Sequence, residues 1–324
     1  MNKLNIYDDV YKPEQQAFPA TENDVIDFRL LVKSLWKDKW LIAVTTLLLS
    51  VAAVIFALYQ PNIYRSDALL APAEAEQGSG GLAALAGQFG GLASMAGINL
   101  GNTGSSDKSK LAIEVLTSRF FIQNFIEKHD ILADVMAAKS WDYNSKELNY
   151  DLDDYDVTSN TWTRDVSEPF TAKPSLQEAY KEFVAKMIVS TSKDTGMTSL
   201  SIEHVSPIVA QKWVTWLIAD INADMKNRDV NEAERSIAFL KKQIEQTNVA
   251  DIRSILYKLV EEQAKTIMFA EVRNEYVFKT IDPAQVTQEK AKPKRGLIVL
   301  LGVFSGIFLG LFISIIRYFF KNKS

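Results

Sequence analysis

The hydrophobic positions of this 324-residue chain are concentrated in two uninterrupted runs, one near each end. Residues 40–59 (WLIAVTTLLLSVAAVIFALY) and 297–316 (LIVLLGVFSGIFLGLFISII) contain no charged side chain. A helix rises about 1.5 Å per residue, so each run is about 30 Å long, the thickness of the hydrocarbon core of a bilayer. We therefore predict two transmembrane helices. A pair of buried core helices is the disfavoured alternative, because such helices are usually shorter.

The basic residues that flank the two runs predict the topology. They are Arg29, Lys33, Lys37 and Lys39 before the first run, and Arg317, Lys321 and Lys323 after the second. Short cytoplasmic segments of membrane proteins are rich in Lys and Arg, so we expect both termini in the cytoplasm. A basic group at 290–295 points the other way, but it ends a long loop, and long loops cross membranes largely regardless of charge. The predicted divisions are a cytoplasmic N-terminal segment 1–39, a first span 40–59, an exported domain 60–295, a second span 296–318 and a cytoplasmic tail 319–324.

The second run has a glycine at every fourth position, at Gly302, Gly306 and Gly310. This spacing places all three on one helix face, where the backbone of another helix can approach closely. We predict a packing face toward the first span or toward a neighbouring subunit. Glycine is also generally frequent in membrane helices, which leaves an incidental stripe as the alternative.

The polar middle of the chain alternates between strand and helix patterns. Strands are predicted at 62–73, 183–192, 197–205 and 275–281, and shorter helices at 111–128 and 131–139. Residues 78–104 hold nine of the fourteen glycines and indicate a flexible low-complexity stretch, in which 82–96 fits a short helix. Residues 142–168 interleave aromatic and acidic residues. They fit a sugar-binding surface, but we favour a solvated loop whose aromatic rings tuck onto the core.

The longest predicted element is a helix over about 207–246. Ser206 and Pro207 are typical of an N-cap followed by the first helical turn. The next residues contain no glycine and no further proline, and their apolar positions keep helical spacing. A helix of this length measures about 60 Å, so it must project or pack against other subunits. A second helix, over about 249–271, would complete a hairpin. The predicted fold class is α+β, with two transmembrane helices flanking an α/β base domain from which a long helical hairpin projects.

Neither the composition nor the sequence motifs indicate a catalytic, cofactor-binding or metal-binding site. The net charge of −4 argues against a nucleic-acid partner. There is no cysteine, and the two histidines, His129 and His204, lie far apart in the chain, so neither a zinc motif nor a Ser-His-Asp arrangement is indicated. A phosphate-binding P-loop motif is absent. We expect no catalytic residue, no cofactor and no metal site. Paired carboxylates are too numerous to indicate glycosidase chemistry, although they leave it open.

The segment before the first run resembles a known family. Residues 25–39 (VIDFRLLVKSLWKDK) are similar to the cytoplasmic lead-in of the Wzz family, the polysaccharide co-polymerases that set chain length. The anchor after it, the long-helix domain, and the stretch Pro293, Lys294 and Arg295 before a glycine-rich second span resemble that family as well. We treat this stretch as a candidate membrane-entry segment. Because only eight residues follow Ile316, the resemblance is to the short class without a kinase domain.

The resemblance implies a protein of the bacterial inner membrane whose main domain is periplasmic. It implies a ring-like homo-oligomer that regulates a membrane polymerase joining lipid-linked oligosaccharides, most often of lipopolysaccharide O-antigen. The expected partners are other copies of the chain, the polymerase, the lipid-linked oligosaccharide or growing polysaccharide, and the lipid bilayer, with no nucleic acid. The expected function is non-enzymatic control of chain length by an oligomeric scaffold.

Three alternatives stay open from the sequence. One is a capsule or exopolysaccharide export component with the same two-span architecture. A membrane sensor would need an output domain, for which the terminal segments leave little room. A periplasmic enzyme acting on glycans would need catalytic carboxylates, and none stands out.

Overall fold

The computed structural model describes residues 36–73 and 105–322. Its helices are α1 Lys39–Tyr59, α2 Ser105–Thr117, α3 Arg119–Lys128, α4 Leu132–Met136, α5 Leu176–Lys186, α6 Pro207–Gln246, α7 Ala250–Val272 and α8 Arg295–Asn322. Its strands are β1 Ile63–Pro72, β2 Ala138–Asp142, β3 Glu147–Tyr150, β4 Tyr155–Asp156, β5 Thr161–Trp162, β6 Met187–Thr191, β7 Thr198–His204, β8 Phe278–Asp282 and β9 Lys290–Lys292. The low-complexity stretch 78–104, with its predicted helix at 82–96, lies outside the described residues, as does most of the lead-in.

The chain divides into two compact units. One contains the apolar helices α1 and α8, and the other comprises residues 58–294 with the sheet and the remaining helices. Mixed helix and strand, apolar helices at both ends and one very long helix confirm the predicted fold class.

The sheet of the second unit is built around β1, the strand that follows the first apolar helix. The strand order is β6-β7-β1-β8, with β9 also paired to β1, and all neighbours are antiparallel. Along β1, the side chains of Ser66, Ala68 and Leu70 are buried while their neighbours are more exposed. This is the two-residue period of a strand with one face on the core.

The core is formed by this sheet, the first half of α6 and the helices α2 to α5. The Oγ atom of Ser206 accepts a hydrogen bond from Val209 N and so caps the helix. The buried side chains that follow at helical spacing include Ala210, Trp213, Val214, Leu217, Ile221 and Met225. Beyond Met225 the buried positions of α6 are Ala233 and Ile244, and along α7 the buried residue is Ala270. The distal part of the α6–α7 hairpin therefore extends past the core.

Asn222 fastens the long helix to the last part of the sheet. Its buried Oδ1 accepts hydrogen bonds from Val277 N at 2.8 Å and Phe278 N at 2.9 Å, and its Nδ2 donates to Phe278 O at 3.1 Å. A buried amide satisfied in this way stabilises the fold, because leaving the same backbone groups unpaired would cost free energy. The clamp fixes where the chain enters β8 on its return from the hairpin.

Several boundaries differ from the sequence prediction. The helix expected over 131–139 is shorter, Leu132–Met136, and residues from Ala138 onward belong to β2. The single helix expected over 111–128 is two helices, because Ser118 adopts extended backbone and its Oγ caps α3 through Phe121 N. The strand expected over 183–192 begins later, because residues 183–186 form the last turn of α5. That helix starts at a capping box between Ser175 and Glu178. The sequence prediction did not use this signal and included residues 183–186 in the alternating pattern of the strand.

The acidic and aromatic region 142–168 also differs from the expected loop. It contains part of the hairpin β2–β3 and the small hairpin β4–β5. The tilted rings of Tyr155 and Trp162 contact each other across the β4–β5 hairpin with centroids 4.9 Å apart, and Tyr150 lies 5.6 Å from Tyr155. Cross-strand aromatic contact of this kind holds short hairpins together.

His204 is a buried titratable group of the second unit whose pKa departs strongly from its ordinary value. Its Nδ1 accepts a hydrogen bond from Ser206 N at 3.1 Å, so the proton lies on Nε2, which donates to Asp134 O at 3.1 Å. The ring packs against Trp213. Burial lowers the pKa of the His204 imidazole to about 4, so the neutral form is the one built into the fold.

We expect the protein to lose stability as pH falls from about 6.5 to about 4. Between the ordinary pKa of 6.5 and the folded value of about 4, the unfolded state binds more protons, so the free energy of unfolding decreases as pH falls. The full shift corresponds to roughly 3 kcal/mol. Thermal unfolding of the solubilised full chain across this pH range, followed by circular dichroism, measures the effect.

The variant His204→Gln retains one acceptor and one donor but does not titrate, so it should lose this part of the pH dependence. His129→Gln, at the other histidine, should keep it. Equal pH dependence in the wild type and His204→Gln would contradict the assignment.

Candidate functional site: the paired apolar helices

Helices α1 and α8 have the length and composition of membrane spans. Their mean hydropathies are 2.7 and 2.6, over Lys39–Tyr59 and Arg295–Phe320. Most of their large apolar side chains are exposed, including Phe308, whose exposed fraction is 75%. A core helix of a soluble protein would be mostly covered, so both helices are compatible with a two-span membrane protein.

The glycine stripe Gly302, Gly306 and Gly310 lies against α1. A Cβ atom added at Gly302 would overlap the Ala53 Cβ, and one added at Gly306 would lie 2.6 Å from the Thr46 Cα. The Thr46 neighbour is a backbone atom, which cannot rotate out of the way. The absence of side chains therefore sets how closely the two helix backbones approach.

The contact continues one turn further along the stripe. A Cβ atom added at Gly310 would lie 2.5 Å from Thr45 Oγ1 and 2.9 Å from Ile42 Cα. The Thr45 hydroxyl is 3.0 Å from its own helix carbonyl at Ile42 and 3.4 Å from the Gly306 carbonyl of α8. A hydroxyl shared between its own helix and the facing one adds a weak polar contact to the close packing.

A charge-assisted hydrogen bond closes one end of the helix pair. The fully buried Ser314 donates from Oγ to Asp38 Oδ2 at 2.9 Å. The backbone carbonyl of Asp38 accepts hydrogen bonds from Leu41 N and Ile42 N in the first turn of α1. Sequence reasoning did not assign Asp38 to the site. The sequence did contain a signal for its partner, because Ser314 continues the four-residue period of Gly306 and Gly310. These three positions are the buried ones in the part of α8 whose burial is described.

The candidate membrane-entry segment spans the point in the chain where the second unit ends and α8 begins. Pro293 and Lys294 follow β9 and end the second unit, whereas Arg295 is the first residue of α8. Just before them, Lys292 Nζ pairs with Glu203 Oε2 at 2.5 Å, a contact from β9 to β7. The segment is thus anchored at its start within the base domain.

The described residues give no positive indication of a metal centre. They contain no group of three or more His, Asp and Glu side chains placed to hold an ion. Both histidines are hydrogen-bonded, His129 to the Asp220 carboxylate and His204 to backbone.

The fold and the paired helices define a class, an α+β domain flanked by two apolar helices of membrane-spanning length. Residues 24–129 match the family model Wzz, described as chain length determinant protein. The chain therefore carries a Wzz chain length determinant region, and the resemblance seen in the lead-in is confirmed.

Two solved structures are similar at low identity. One is a full-length bacterial polysaccharide co-polymerase, 12% identical, with 92% of this chain and 99% of that chain covered and a TM-score of 0.37. The other is a fragment of WzzB, a polysaccharide co-polymerase from Salmonella Typhimurium, 14% identical, with 71% and 100% covered and a TM-score of 0.26. Both TM-scores are below 0.5, so neither likeness adds to what the chain's own fold shows. No curated protein matches the chain.

Replacing Gly306 by Leu should destabilise the helix pair by about 1–3 kcal/mol, because the new side chain meets the Thr46 backbone. Gly296→Leu is the matched control, since Gly296 lies on the same helix with nothing within 4 Å of an added Cβ. Unfolding of the detergent-solubilised chain compares the two. Equal loss in both variants would argue against close packing at Gly306.

Proposed function

We propose that this protein is an inner-membrane regulator of polysaccharide chain length. The observation that carries the proposal is the Wzz match over residues 24–129. That region includes the lead-in, all of α1, β1 and the helices α2 and α3, and so combines a membrane segment with part of the base. The two apolar helices support a protein held in the membrane at both ends of its main domain.

The proposed topology has both termini in the cytoplasm and the unit 58–294 in the periplasm. It is supported by the basic residues outside each apolar helix. Separately, the net charge of −4 argues against a nucleic-acid partner. Two spans require both termini on the same side, so the large polar unit is exported as one piece.

The mechanism we propose is a non-enzymatic scaffold built from several copies of the chain. The part of the α6–α7 hairpin beyond the core exposes large apolar side chains, among them Phe239, Ile255 and Tyr257. A hairpin with such surface gains free energy by packing against neighbouring copies. The assembly would hold the polymerase together with the growing lipid-linked polysaccharide, and its geometry would determine when extension stops. O-antigen of lipopolysaccharide is the polymer that we propose.

Deleting the gene in its native host should change the ladder of lipopolysaccharide lengths on a gel. A cluster around a preferred length should give way to a short-biased distribution, because nothing then terminates extension at a set size. Complementation with the wild-type gene should restore the cluster.

An unchanged ladder would contradict the O-antigen assignment, and loss of all surface polymer would favour an export component instead. The scaffold has an independent test in native mass measurements of the purified full chain. A monomer there would contradict the oligomeric mechanism even if the ladder changes.

A further inference from the structure

A small cleft lies between α3 and α6 in the second unit, with a volume of about 230 Å³. Its lining residues come from two helices and comprise Phe120, Phe121, Asn124, Phe125, Lys128, Asp220, Ala223, Asp224 and Asn227. The cleft is smaller than the roughly 300–1,000 Å³ of sites for drug-sized ligands. It therefore suits a single ring or a group of similar size.

The charges around the cleft are already compensated. Lys128 Nζ lies 2.6 Å from Asp220 Oδ1, and His129 Nε2 lies 2.8 Å from Asp220 Oδ2. The second carboxylate, Asp224, pairs with Arg228 Nε at 2.6 Å. Because each acid has a basic partner, the cleft offers neither a free cluster of cations for a phosphate nor a free cluster of carboxylates for a metal ion.

Two amides and one aromatic ring are open to the cleft. Asn124 and Asn227 are exposed residues of the cleft lining. Each amide therefore presents two donor hydrogens and an acceptor oxygen. Phe120 has an exposed fraction of 68%, while Phe121 and Phe125 beneath it are buried. The surface thus combines an apolar face with hydrogen-bonding groups of both kinds.

The wall of the cleft is held in place from behind. The His129 ring is stacked on Trp216, with centroids 4.1 Å apart and planes 11° apart. The Lys212 ammonium lies 4.4 Å from the Trp216 centroid on the same helix. A wall fixed before binding lowers the entropy cost of holding a ligand.

We propose that this cleft binds one neutral pyranose ring of a glycan. The C–H face of a pyranose packs on an aromatic ring such as Phe120, and its hydroxyls both donate to and accept from amides such as Asn124 and Asn227. Compensated charges fit a neutral sugar better than an anionic group. A protein helix would need a longer apolar groove than one exposed phenylalanine provides. The inference rests on the proposed function, since it assigns a contact for the polysaccharide on the base domain.

Saturation-transfer difference NMR tests the inference on the full chain in nanodiscs. The probes are the methyl glycosides of glucose, galactose, mannose and N-acetylglucosamine, and nanodiscs avoid the sugar headgroups of maltoside detergents. At least one glycoside should receive saturation at its ring C–H protons. Phe120→Ala and Asn124→Ala should each weaken binding roughly five- to tenfold, as expected when one good contact is lost.

Phe170→Ala is the matched control, because Phe170 is an exposed aromatic of the same unit that neither lines the cleft nor lies on the α6–α7 hairpin. It should bind as the wild type does. Absence of signal from all four glycosides, or equal signal in Phe120→Ala, would overturn the inference.

The cysteine-free sequence allows a second test with Asn124→Cys. Efficient disulfide cross-linking between copies through this residue would overturn the sugar assignment in favour of a subunit contact. The two hypotheses fail separately. A chain-length ladder that depends on the gene together with a cleft that binds no glycoside would reject the cleft and leave the proposed function standing. Glycoside binding with an unchanged ladder would reject the O-antigen assignment and leave the cleft standing.

Discussion

The structure depends on joining two ends of the main domain that are far apart in the chain. Within the second unit, β1 pairs with β9, so that Ile63 lies opposite Lys292. Lys292 also forms an ion pair with Glu203 on β7, which fixes the short last strand across the sheet. Within the first unit, α8 packs closely against α1 at the glycine stripe Gly302, Gly306 and Gly310. Closing so long a loop costs entropy that grows only slowly with its length, so a few well-placed contacts suffice at each closure.

Buried polar groups determine where the long hairpin leaves and rejoins the base. Asn222 pairs with both backbone groups of Phe278, the first residue of β8, and about two turns further out Asp229 accepts hydrogen bonds from Lys108 and Tyr276. Apolar packing alone would allow the helix to slide along the sheet with little change in buried area. Directional hydrogen bonds resist such sliding, because it would leave their buried donors and acceptors unpaired.

The elements that the sequence predicted well are those with local signals. Ser206 and Pro207 mark the start of α6 by their own chemistry, and the apolar runs are visible without any partner. The break at Ser118 was missed, because serine is compatible with a helix interior and only its extended backbone reveals the cap. The glycine period indicated a face but not its occupant. Asp38 was missed because its partner, Ser314, is distant in the chain. The cleft was not predicted, because it forms only where α3 and α6 pack together and neither segment alone contains it.

The geometry of α6 links these observations. Ile221, Asn222 and Met225 face the core, whereas Asp220, Asp224 and Asn227 line the cleft on a neighbouring face. The residues that fasten the helix and those that would contact a sugar are thus interleaved within two turns. The same helix continues without a break to Gln246 in the hairpin. A helix clamped at this level cannot tilt without breaking the Asn222 hydrogen bonds, so a glycan held in the cleft would be kept at a fixed height relative to the hairpin. In the proposed scaffold, a fixed spacing between a held sugar and the surface that packs against neighbouring copies would let the geometry of the assembly measure the chain.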